Sequence, residues 1–139
     1  MCAENFKIKI VNSWLEDEIV ELYRAGGWWK DNYDKNKLKD LIKGSFVFVV
    51  AVEKKSNKAI GMGRLLSDGV SDAYIQDLVV LPSYRGRGVG KRLVKKLVEY
   101  CYSKGIRWIG LISEPGQDGF YSKIGFKQMK HYVPMRYEK

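Results

Sequence analysis

Residues 75–92 read IQDLVVLPSYRGRGVGKR and contain the clearest structural signals of the sequence. The first half of this stretch is an apolar run typical of a buried strand. Its second half places three glycines among four basic residues. From residue 89 onwards, apolar residues recur at helical spacing, and Lys and Arg fall outside their stripe. The stretch therefore predicts a strand, a glycine loop and an amphipathic helix in direct succession.

The glycine loop, residues 85–91, is suited to hold a phosphate group. Glycine allows positive φ and lets a ligand approach the main chain, and the following helix offers free N–H groups and the positive end of its dipole. Two other phosphate loops do not fit, because Arg92 stands where a P-loop needs Ser or Thr, and the glycines lack Gly-x-Gly-x-x-Gly spacing. A glycine turn without a ligand is the alternative.

Positive charge is concentrated in the same region. The chain carries a formal net charge of +9 at pH 7, and residues 82–107 contain eight Lys or Arg residues against the single acid Glu99. This pattern is compatible with a solvated helix face, with nucleic acid or with a small polyphosphate ligand. Because the charge surrounds a glycine loop and no aromatic stacking platform shares its face, the pattern favours the polyphosphate over nucleic acid.

Length and composition exclude several other classes of protein. A chain of 139 residues predicts a single domain, 1–139. No stretch approaches the roughly 20 apolar residues of a membrane span, and the N-terminus lacks the layout of a secretion signal, so we expect a cytoplasmic protein that does not bind membranes. Cys2 and Cys101 give no disulfide or metal-ligand spacing, and a single histidine, His131, removes most nucleophilic and zinc schemes. We expect no metal.

The patterning of the whole chain predicts an α+β fold. A strand at 6–11 is followed by a helix with Ser13 as N-cap and Glu16 as capping-box partner, which ends at Gly26. A second helix begins after Asp34 and ends at Gly44. Three strands then form an antiparallel meander at 45–53, 59–67 and 73–81, before the basic helix at 89–102. A strand at 107–113, a short helix at 116–125 and one or two closing strands at 126–137 complete the order βααβββαβαβ.

Two segments of this chain resemble a known family. Arg85, Gly88 and Gly90 fill the pattern Arg/Gln-x-x-Gly-x-Gly/Ala, which is similar to motif A of the GNAT superfamily of acetyl-CoA-dependent N-acetyltransferases. The segment GFYSKIGF at 119–126 resembles motif B of the same family. The resemblance covers about residues 6–137. It implies the GNAT fold, a mixed but mostly antiparallel sheet flanked by helices, with acetyl-CoA as cosubstrate and no metal.

The resemblance also implies where acetyl-CoA binds. In this family the strand before motif A splays from its neighbour and its main chain pairs with the pantetheine arm, here at Leu78, Val79 and Val80. The pyrophosphate would rest on the amides of the glycine loop, and the side chain of Arg85 would organise the loop more than bind the ligand. The implied cofactor-binding residues of the loop are Arg85, Gly86, Arg87, Gly88, Val89, Gly90 and Lys91.

Catalytic roles are implied for Tyr121 and Asp77. Tyr121 matches a position where many family members place a tyrosine near the CoA sulfur, and a phenol suits a general acid; packing under the cofactor is the alternative. Some sugar-amine relatives carry two acidic residues where this chain has Gln76-Asp77, which makes Asp77 the candidate general base. A structural role for Asp77, with ordered water as the base, stays open. A main-chain N–H near Leu78 or Val79 would polarise the thioester carbonyl.

The acceptor site is implied at the loop between the first two helices, GGWWKDNYD at 26–34. Aromatic rings beside carboxylates suit a cationic amine, which can carry an aryl group. Alternatively, the tryptophans seal the helices onto the sheet. The segment SEPGQDG at 113–119 is the candidate second wall. The implied substrate-binding residues are Trp28, Trp29, Tyr33, Tyr74, Gln76 and Glu114.

The resulting hypothesis is direct acetyl transfer, through a ternary complex, to a primary amine of a small molecule. Two alternatives stay open: acetylation of a protein lysine or N-terminus, and a CoA-binding regulator without catalysis. Dimers are common in the family, so a homodimer is a further expectation, although the sequence contains no self-complementary patch that would argue for one.

Overall fold

The computed structural model describes residues 5–139, so Cys2 lies outside the described residues. In chain order, the elements are β1 (Phe6–Ile10), α1 (Glu16–Ala25), α2 (Leu38–Gly44), β2 (Val47–Glu53), β3 (Ala59–Ser67), β4 (Asp72–Val80), α3 (Val89–Ser103), β5 (Trp108–Gly110) and α4 (Asp118–Ile124). Short 3-10 turns at Lys35–Lys37 and Pro82–Tyr84 precede α2 and α3. Within residues 5–139, no helix is both long and apolar enough to cross a membrane.

The strands form one five-stranded sheet in the order β1-β2-β3-β4-β5. Neighbours are antiparallel from β1 to β4, and β4 and β5 are parallel. The parallel pair follows from α3, because a crossover helix returns the chain to the same end of the sheet. The predicted α+β class, the meander and the mixed sheet are therefore confirmed.

Helices cover both faces of the sheet. On one face α3 lies so close to β3 that a Cβ at Gly61 would stand 3.0 Å from Leu93 Cδ1, and a Cβ at Gly63 would stand 3.3 Å from Leu97 Cδ1. Leu93 and Leu97 are fully buried. Two glycines in β3 thus let α3 approach the backbone of the sheet. On the other face, α1 packs against β3 and β4.

The first helix begins later than predicted. The prediction of Ser13 as N-cap is wrong, because α1 starts at Glu16, its N-cap is Leu15 and no side chain caps it. Three acidic residues in the first turn, Glu16–Glu18, provide the alternative stabilisation, since negative charge is favoured at the positive end of a helix dipole. The prediction that Asp34 caps the second helix is also wrong: Asp34 caps the 3-10 turn Lys35–Lys37, accepting a hydrogen bond from the Asn36 backbone N–H at 2.9 Å, whereas α2 has Lys37 as N-cap and no side-chain cap.

The prediction of one or two closing strands at 126–137 is also wrong, since this segment forms no strand. A turn at its middle contains His131 with φ 69°, and Pro134 lacks the N–H that a ladder needs on one side. No residue after Phe126 packs on the core. The strand predicted at 107–113 is shorter too, because only Trp108–Gly110 pairs with β4.

Candidate active site

The glycine loop provides an open backbone cradle. Gly86 and Gly88 have φ values of 79° and 82°, the left-handed conformation that favours glycine. A Cβ built at either position would meet no atom within 4 Å, so nothing obstructs the approach to their main chain. Gly88 is the residue before α3, and the free N–H groups of the first helical turn follow it directly. An anion can therefore reach the loop amides and the positive end of the helix.

Gly90 serves a different purpose from the other two glycines. It lies inside α3, and a Cβ there would stand 3.1 Å from Phe120 Cζ and 3.8 Å from Val80 Cγ2. The missing side chain thus lets Phe120 of α4 pack against the start of α3 and the end of β4. This contact places α4, with Tyr121, at the same end of the sheet as the cradle.

Of the basic residues in the glycine loop, Arg85 supports the loop, whereas Arg87 and Lys91 are exposed. Arg85 Nε donates to the Val80 carbonyl at 2.9 Å, so this side chain ties the loop to the end of β4. The guanidinium of Arg87 lies 5.6 Å from the centroid of the Tyr84 ring, and Lys91 is exposed. Val89 is only 2% exposed, so its side chain belongs to the core and not to the surface of the cradle.

The main-chain edge of β4 beyond Tyr74 is open. On one side β4 pairs with β3 up to Val80, whereas on the other side it pairs with β5 only from Asp72 to Tyr74. Among the described strands, none borders the outer edge of residues 75–80. Leu78, Val79 and Val80 lie on this stretch, beside the cradle. An extended ligand can therefore add to the edge as a strand does.

Asp77 occupies a β-bulge in the middle of β4. Met62 pairs with Val79 and Arg64 with Gln76, so two residues of β4, Asp77 and Leu78, stand opposite one residue of β3. Asp77 has φ 57°, an uncommon conformation for a residue other than glycine. The bulge turns its carboxylate out of the simple alternation of the strand.

The carboxylate of Asp77 joins α1 to β3. Its Oδ2 accepts hydrogen bonds from Tyr23 Oη and from Arg64 Nε, both at 2.7 Å. The side chains of Arg64 and Asp77 are only 16% and 21% exposed. Burial, together with the charge of Asp77, raises the pKa of Tyr23 well above its ordinary value. Tyr23 is consequently a neutral donor at all moderate pH values.

Tyr121 lies half-buried between two phenylalanine rings, with ring centroids 5.0 Å from Phe120 and 5.8 Å from Phe126. Burial raises the pKa of Tyr121 above its ordinary value, and the negative charge of Glu114 adds to the effect. The phenol therefore keeps its proton at neutral pH. That is the state a general acid requires.

The aromatic loop after α1 contacts the segment after β5. Trp28 Nε1 donates to Glu114 Oε1 at 3.0 Å, so two residues predicted on opposite walls of one site lie in contact. The Trp29 ring lies 5.4 Å from Tyr33 and 6.3 Å from Tyr23. Trp28 and Trp29 are both partly buried and pack against the core. This packing agrees with the alternative interpretation, in which the tryptophans seal the helices onto the sheet. Tyr33 is 46% exposed.

Three residues of this region were missed from the sequence: Tyr23, Arg64 and Trp108. Arg64 carried a usable signal, because a charged residue inside the apolar run of β3 needs a partner. Trp108 of β5 is 42% exposed and lies 5.3 Å, between ring centroids, from the predicted residue Tyr74. Gln76 follows Tyr74 on the same face and is exposed.

Within residues 5–139, no cluster of His, Cys, Asp and Glu could hold a metal ion.

Known proteins resemble this chain in sequence and in fold. The profile of the acetyltransferase (GNAT) family matches residues 10–126, and the chain belongs to this family. An uncharacterized N-acetyltransferase, ycf52, of Pyropia yezoensis is 32% identical over 111 residues, which cover 78% of this chain and 63% of that protein. Serotonin N-acetyltransferase 2 of Oryza sativa is 34% identical over 76 residues, 55% of this chain and 38% of that protein. Histone acetyltransferase TAP1 of Glycine max is 36% identical over 73 residues, which cover 52% of this chain and 32% of that protein.

Two solved structures share the fold. A GNAT family acetyltransferase from Streptococcus pneumoniae TIGR4 has a TM-score of 0.79 at 27% identity, over 96% of this chain and 98% of that one. AAC(6')-Iy in complex with a bisubstrate analogue, CoA-S-monomethyl-acetylneamine, has a TM-score of 0.75 at 19% identity, over 98% of this chain and 100% of that one. By contrast, the matched segments span less than two thirds of the three sequence relatives above.

Proposed function

We propose that this chain transfers an acetyl group from acetyl-CoA to a primary amine of a small molecule, directly and within a ternary complex. One observation carries the proposal. Phe120 packs against Gly90 and Val80, which brings the Tyr121 phenol to the end of the sheet that also holds the open cradle and the unpaired edge of β4. A phosphate site, a main-chain slot and a protonated acid are the parts that this chemistry requires.

The donor occupies the cradle and the slot. Its pyrophosphate rests on the amides from Gly86 to Lys91, and its pantetheine arm lies along Leu78–Val80. Arg85 holds the loop in place through Val80, and the charge of Arg87 and Lys91 attracts the anion. The open space around Gly86 and Gly88 supports this fit, since a side chain at either position would intrude on the ligand.

Acetyl transfer then proceeds as one exchange of bonds. The neutral amine nitrogen attacks the thioester carbonyl carbon, whose oxygen is polarised by a main-chain N–H near Leu78 or Val79. The C–N bond forms, the C–S bond breaks, and the leaving thiolate takes the phenolic proton of Tyr121. The amine loses its proton, and Tyr121 regains one from solvent, which leaves an amide and CoA.

The amine proton is accepted by water rather than by Asp77. Asp77 Oδ2 already accepts two hydrogen bonds, one from the Tyr23 hydroxyl and one from the Arg64 guanidinium, so this oxygen is occupied as an acceptor. We therefore assign Asp77 the role of a positioning residue, which holds the bulge and thereby the main chain of Leu78 and Val79. The general-base role of Asp77 stays a prediction, which the kinetics of the Asp77→Asn variant test.

The acceptor is a cationic amine, with an arylalkylamine as the first compound to test. Exposed rings of Tyr33, Tyr74 and Trp108 offer faces for a cation or an aryl group, and Glu114 supplies negative charge beside Trp28. The rice relative is named for an arylalkylamine, serotonin. The soybean relative is named for histone, a protein, so acetylation of a protein lysine is the second candidate.

The acceptor class is tested by following thiol release from acetyl-CoA over a panel of arylalkylamines, polyamines, amino sugars and lysine peptides. We expect turnover with arylalkylamines and at least a tenfold lower kcat/KM for Trp29→Ala, about 1.4 kcal/mol of lost contact. Turnover of lysine peptides alone would establish the protein-acetylating alternative. Binding of acetyl-CoA without turnover of any amine would indicate the CoA-binding regulator. A cytoplasmic location also stays a proposal.

A further inference from the structure

A side-chain hydrogen bond joins the two walls predicted for the acceptor site. Trp28 Nε1, in the loop after α1, donates to Glu114 Oε1, in the segment between β5 and α4, at 3.0 Å. The two residues are 86 positions apart in the chain. The Trp28–Glu114 bond therefore spans two segments that the sheet brings together.

Glu114 is fixed at its end of this bond by a tight turn. The Gln117 N–H donates to the Glu114 carbonyl at 3.0 Å, and Pro115 and Gly116 occupy the two central positions, with φ 81° at Gly116. Proline followed by a residue with positive φ is the pattern of a type II turn. The turn leads directly into α4, where the Tyr121 N–H donates to the Gln117 carbonyl at 3.5 Å. Backbone hydrogen bonds thus set the position of Glu114 relative to Tyr121.

Trp28 is fixed at the other end by contacts of its own. Its backbone N–H donates to the Tyr23 carbonyl at 2.9 Å. Its ring lies so close over Gly26 that a Cβ there would stand 2.6 Å from Trp28 Cε3. The indole is also partly buried and packs against the core. Breaking the Trp28–Glu114 bond would therefore free the carboxylate without displacing the tryptophan.

The carboxylate of Glu114 has a neutral partner where other carboxylates of the region have a cation. It is exposed, and within residues 5–139 it accepts a hydrogen bond from the indole and forms no ion pair with Lys or Arg. By contrast, Arg24 pairs with Asp31 at 3.3 Å, and Arg64 pairs with Asp77 at 2.7 Å. An ammonium group binds a carboxylate more strongly than a neutral N–H does. Glu114 can therefore exchange the indole for a cation.

The charge of Glu114 also reaches the phenol of Tyr121. Burial raises the pKa of Tyr121, and the negative charge of Glu114 adds to that effect. A cation held on this carboxylate is consequently close to the proposed acid of the reaction.

We propose that Glu114 selects the acceptor by charge: the ammonium group of the acceptor replaces the Trp28 indole on the carboxylate, so the site prefers a protonated amine to a neutral molecule of the same shape. The inference rests on the proposed function, because it concerns the acceptor of the same reaction. Alkylamines with a pKa of about 10.4 are protonated when they arrive at neutral pH. Held beside Tyr121, the ammonium loses a proton to water and attacks as the neutral amine.

A matched pair of probes tests this selection by binding alone, without turnover. 2-Phenylethylamine and 2-phenylethanol share the ring and the chain, but at neutral pH one ends in an ammonium and the other in a hydroxyl. Calorimetric titration of the chain saturated with CoA should give an affinity about fivefold or more higher for the amine. Glu114→Gln keeps an oxygen acceptor for Trp28 but removes the charge, so the preference should fall to within about twofold. Glu99→Gln, the same change on α3 at the opposite face of the sheet, should keep the preference.

The variant Trp28→Phe distinguishes selection by charge from a purely structural bond. The phenyl ring still packs over Gly26 but donates no hydrogen bond, so Glu114 is available to the ammonium. The affinity for 2-phenylethylamine should rise about two- to fivefold, whereas that for 2-phenylethanol should stay unchanged. A structural bond alone predicts weaker binding of both probes in Trp28→Phe and in Glu114→Gln. That result, or an amine preference in Glu114→Gln equal to that of the unchanged chain, overturns the inference.

Failure of the proposed function has a different signature. If 2-phenylethylamine binds with a preference that depends on Glu114 but releases no thiol from acetyl-CoA, selection by Glu114 is supported and acetyl transfer to this class of amine is excluded. If neither probe binds the unchanged chain, the inference is overturned, while thiol release with the other amines of the panel still decides the proposed function.

Discussion

At the scale of single residues, Tyr121 has the environment of a proton donor. Its raised pKa keeps the phenol protonated well above neutral pH, so this group should not cause a loss of rate between pH 7 and pH 9. Tyr121→Phe should lower kcat by about 10²–10⁴-fold and leave the KM for acetyl-CoA within about threefold. The measurement is steady-state thiol release across this pH range. Tyr132→Phe, which removes an exposed phenol in the segment after α4, is the control, and equal kcat values for the two variants would exclude a general acid at Tyr121.

Asp77 is the residue at which two roles predict different kinetics. If it positions the bulge, Asp77→Asn should raise the KM for acetyl-CoA and lower the free energy of unfolding by about 1–3 kcal/mol, since the charge-assisted bond to Arg64 is lost. The pH profile of kcat should keep its shape, because no proton acceptor has been removed. Tyr23→Phe, which deletes one donor to the same oxygen, should raise this KM in the same direction. A large fall in kcat with a changed pH profile for Asp77→Asn alone would restore the general base.

Tyr23 should make the fold sensitive to alkali. The unfolded chain releases a tyrosine proton near pH 10, whereas burial and the neighbouring Asp77 carboxylate hold the proton on folded Tyr23 to higher pH. A pKa raised by folding contributes stability that is complete below pH 10 and declines as the pH rises further. The decline is about 1.4 kcal/mol per pH unit for one proton. Denaturant unfolding from pH 9 to pH 12 should show a shallower decline for Tyr23→Phe; an unchanged slope would contradict the coupling.

At the scale of elements, the glycine loop meets α3 at Gly88, where the backbone is left-handed and its surface is open to a ligand. Gly88→Ala should cost about 1–2 kcal/mol of stability, because alanine disfavours the left-handed conformation. It should also weaken acetyl-CoA binding, since its methyl group enters the open cradle. Gly105→Ala is a matched control at the other end of α3, with φ 81° and no neighbour within 4 Å. Calorimetric titration should find weaker binding for Gly88→Ala alone, and equal affinities would place the phosphate elsewhere.

The elements themselves were largely predictable, because their signals are local. The switch from apolar run to glycine loop to amphipathic helix identified β4 and α3, and the β-branched and aromatic residues of 45–53 identified β2. The cluster of Tyr23, Arg64 and Asp77 was not predictable, since it depends on a one-residue shift of register between β3 and β4. The closing strands predicted at 126–137 were wrong, because a local sequence pattern does not reveal whether a partner strand is present.

At the scale of the whole molecule, the uneven charge should govern affinity for an anionic donor. Eight of the 25 Lys and Arg residues lie at 82–107, half of them at the start of α3 and the others along it and just beyond its end. Raising the salt concentration should therefore increase the KM for acetyl-CoA on the order of fivefold, as screening shortens the reach of these charges. Lys91→Gln should reduce this dependence, whereas Lys43→Gln on α2 removes the same charge without effect. A KM insensitive to salt, or equal effects of both variants, would exclude local steering.

The most direct test of the central claim, an acetyl-CoA site formed by the glycine loop and the open edge of β4, is a calorimetric titration of the purified chain with acetyl-CoA. We expect saturable binding with one acetyl-CoA per chain, accompanied by a higher melting temperature. Absence of heat and of any thermal shift at saturating acetyl-CoA would contradict it, and would leave the cradle without its ligand.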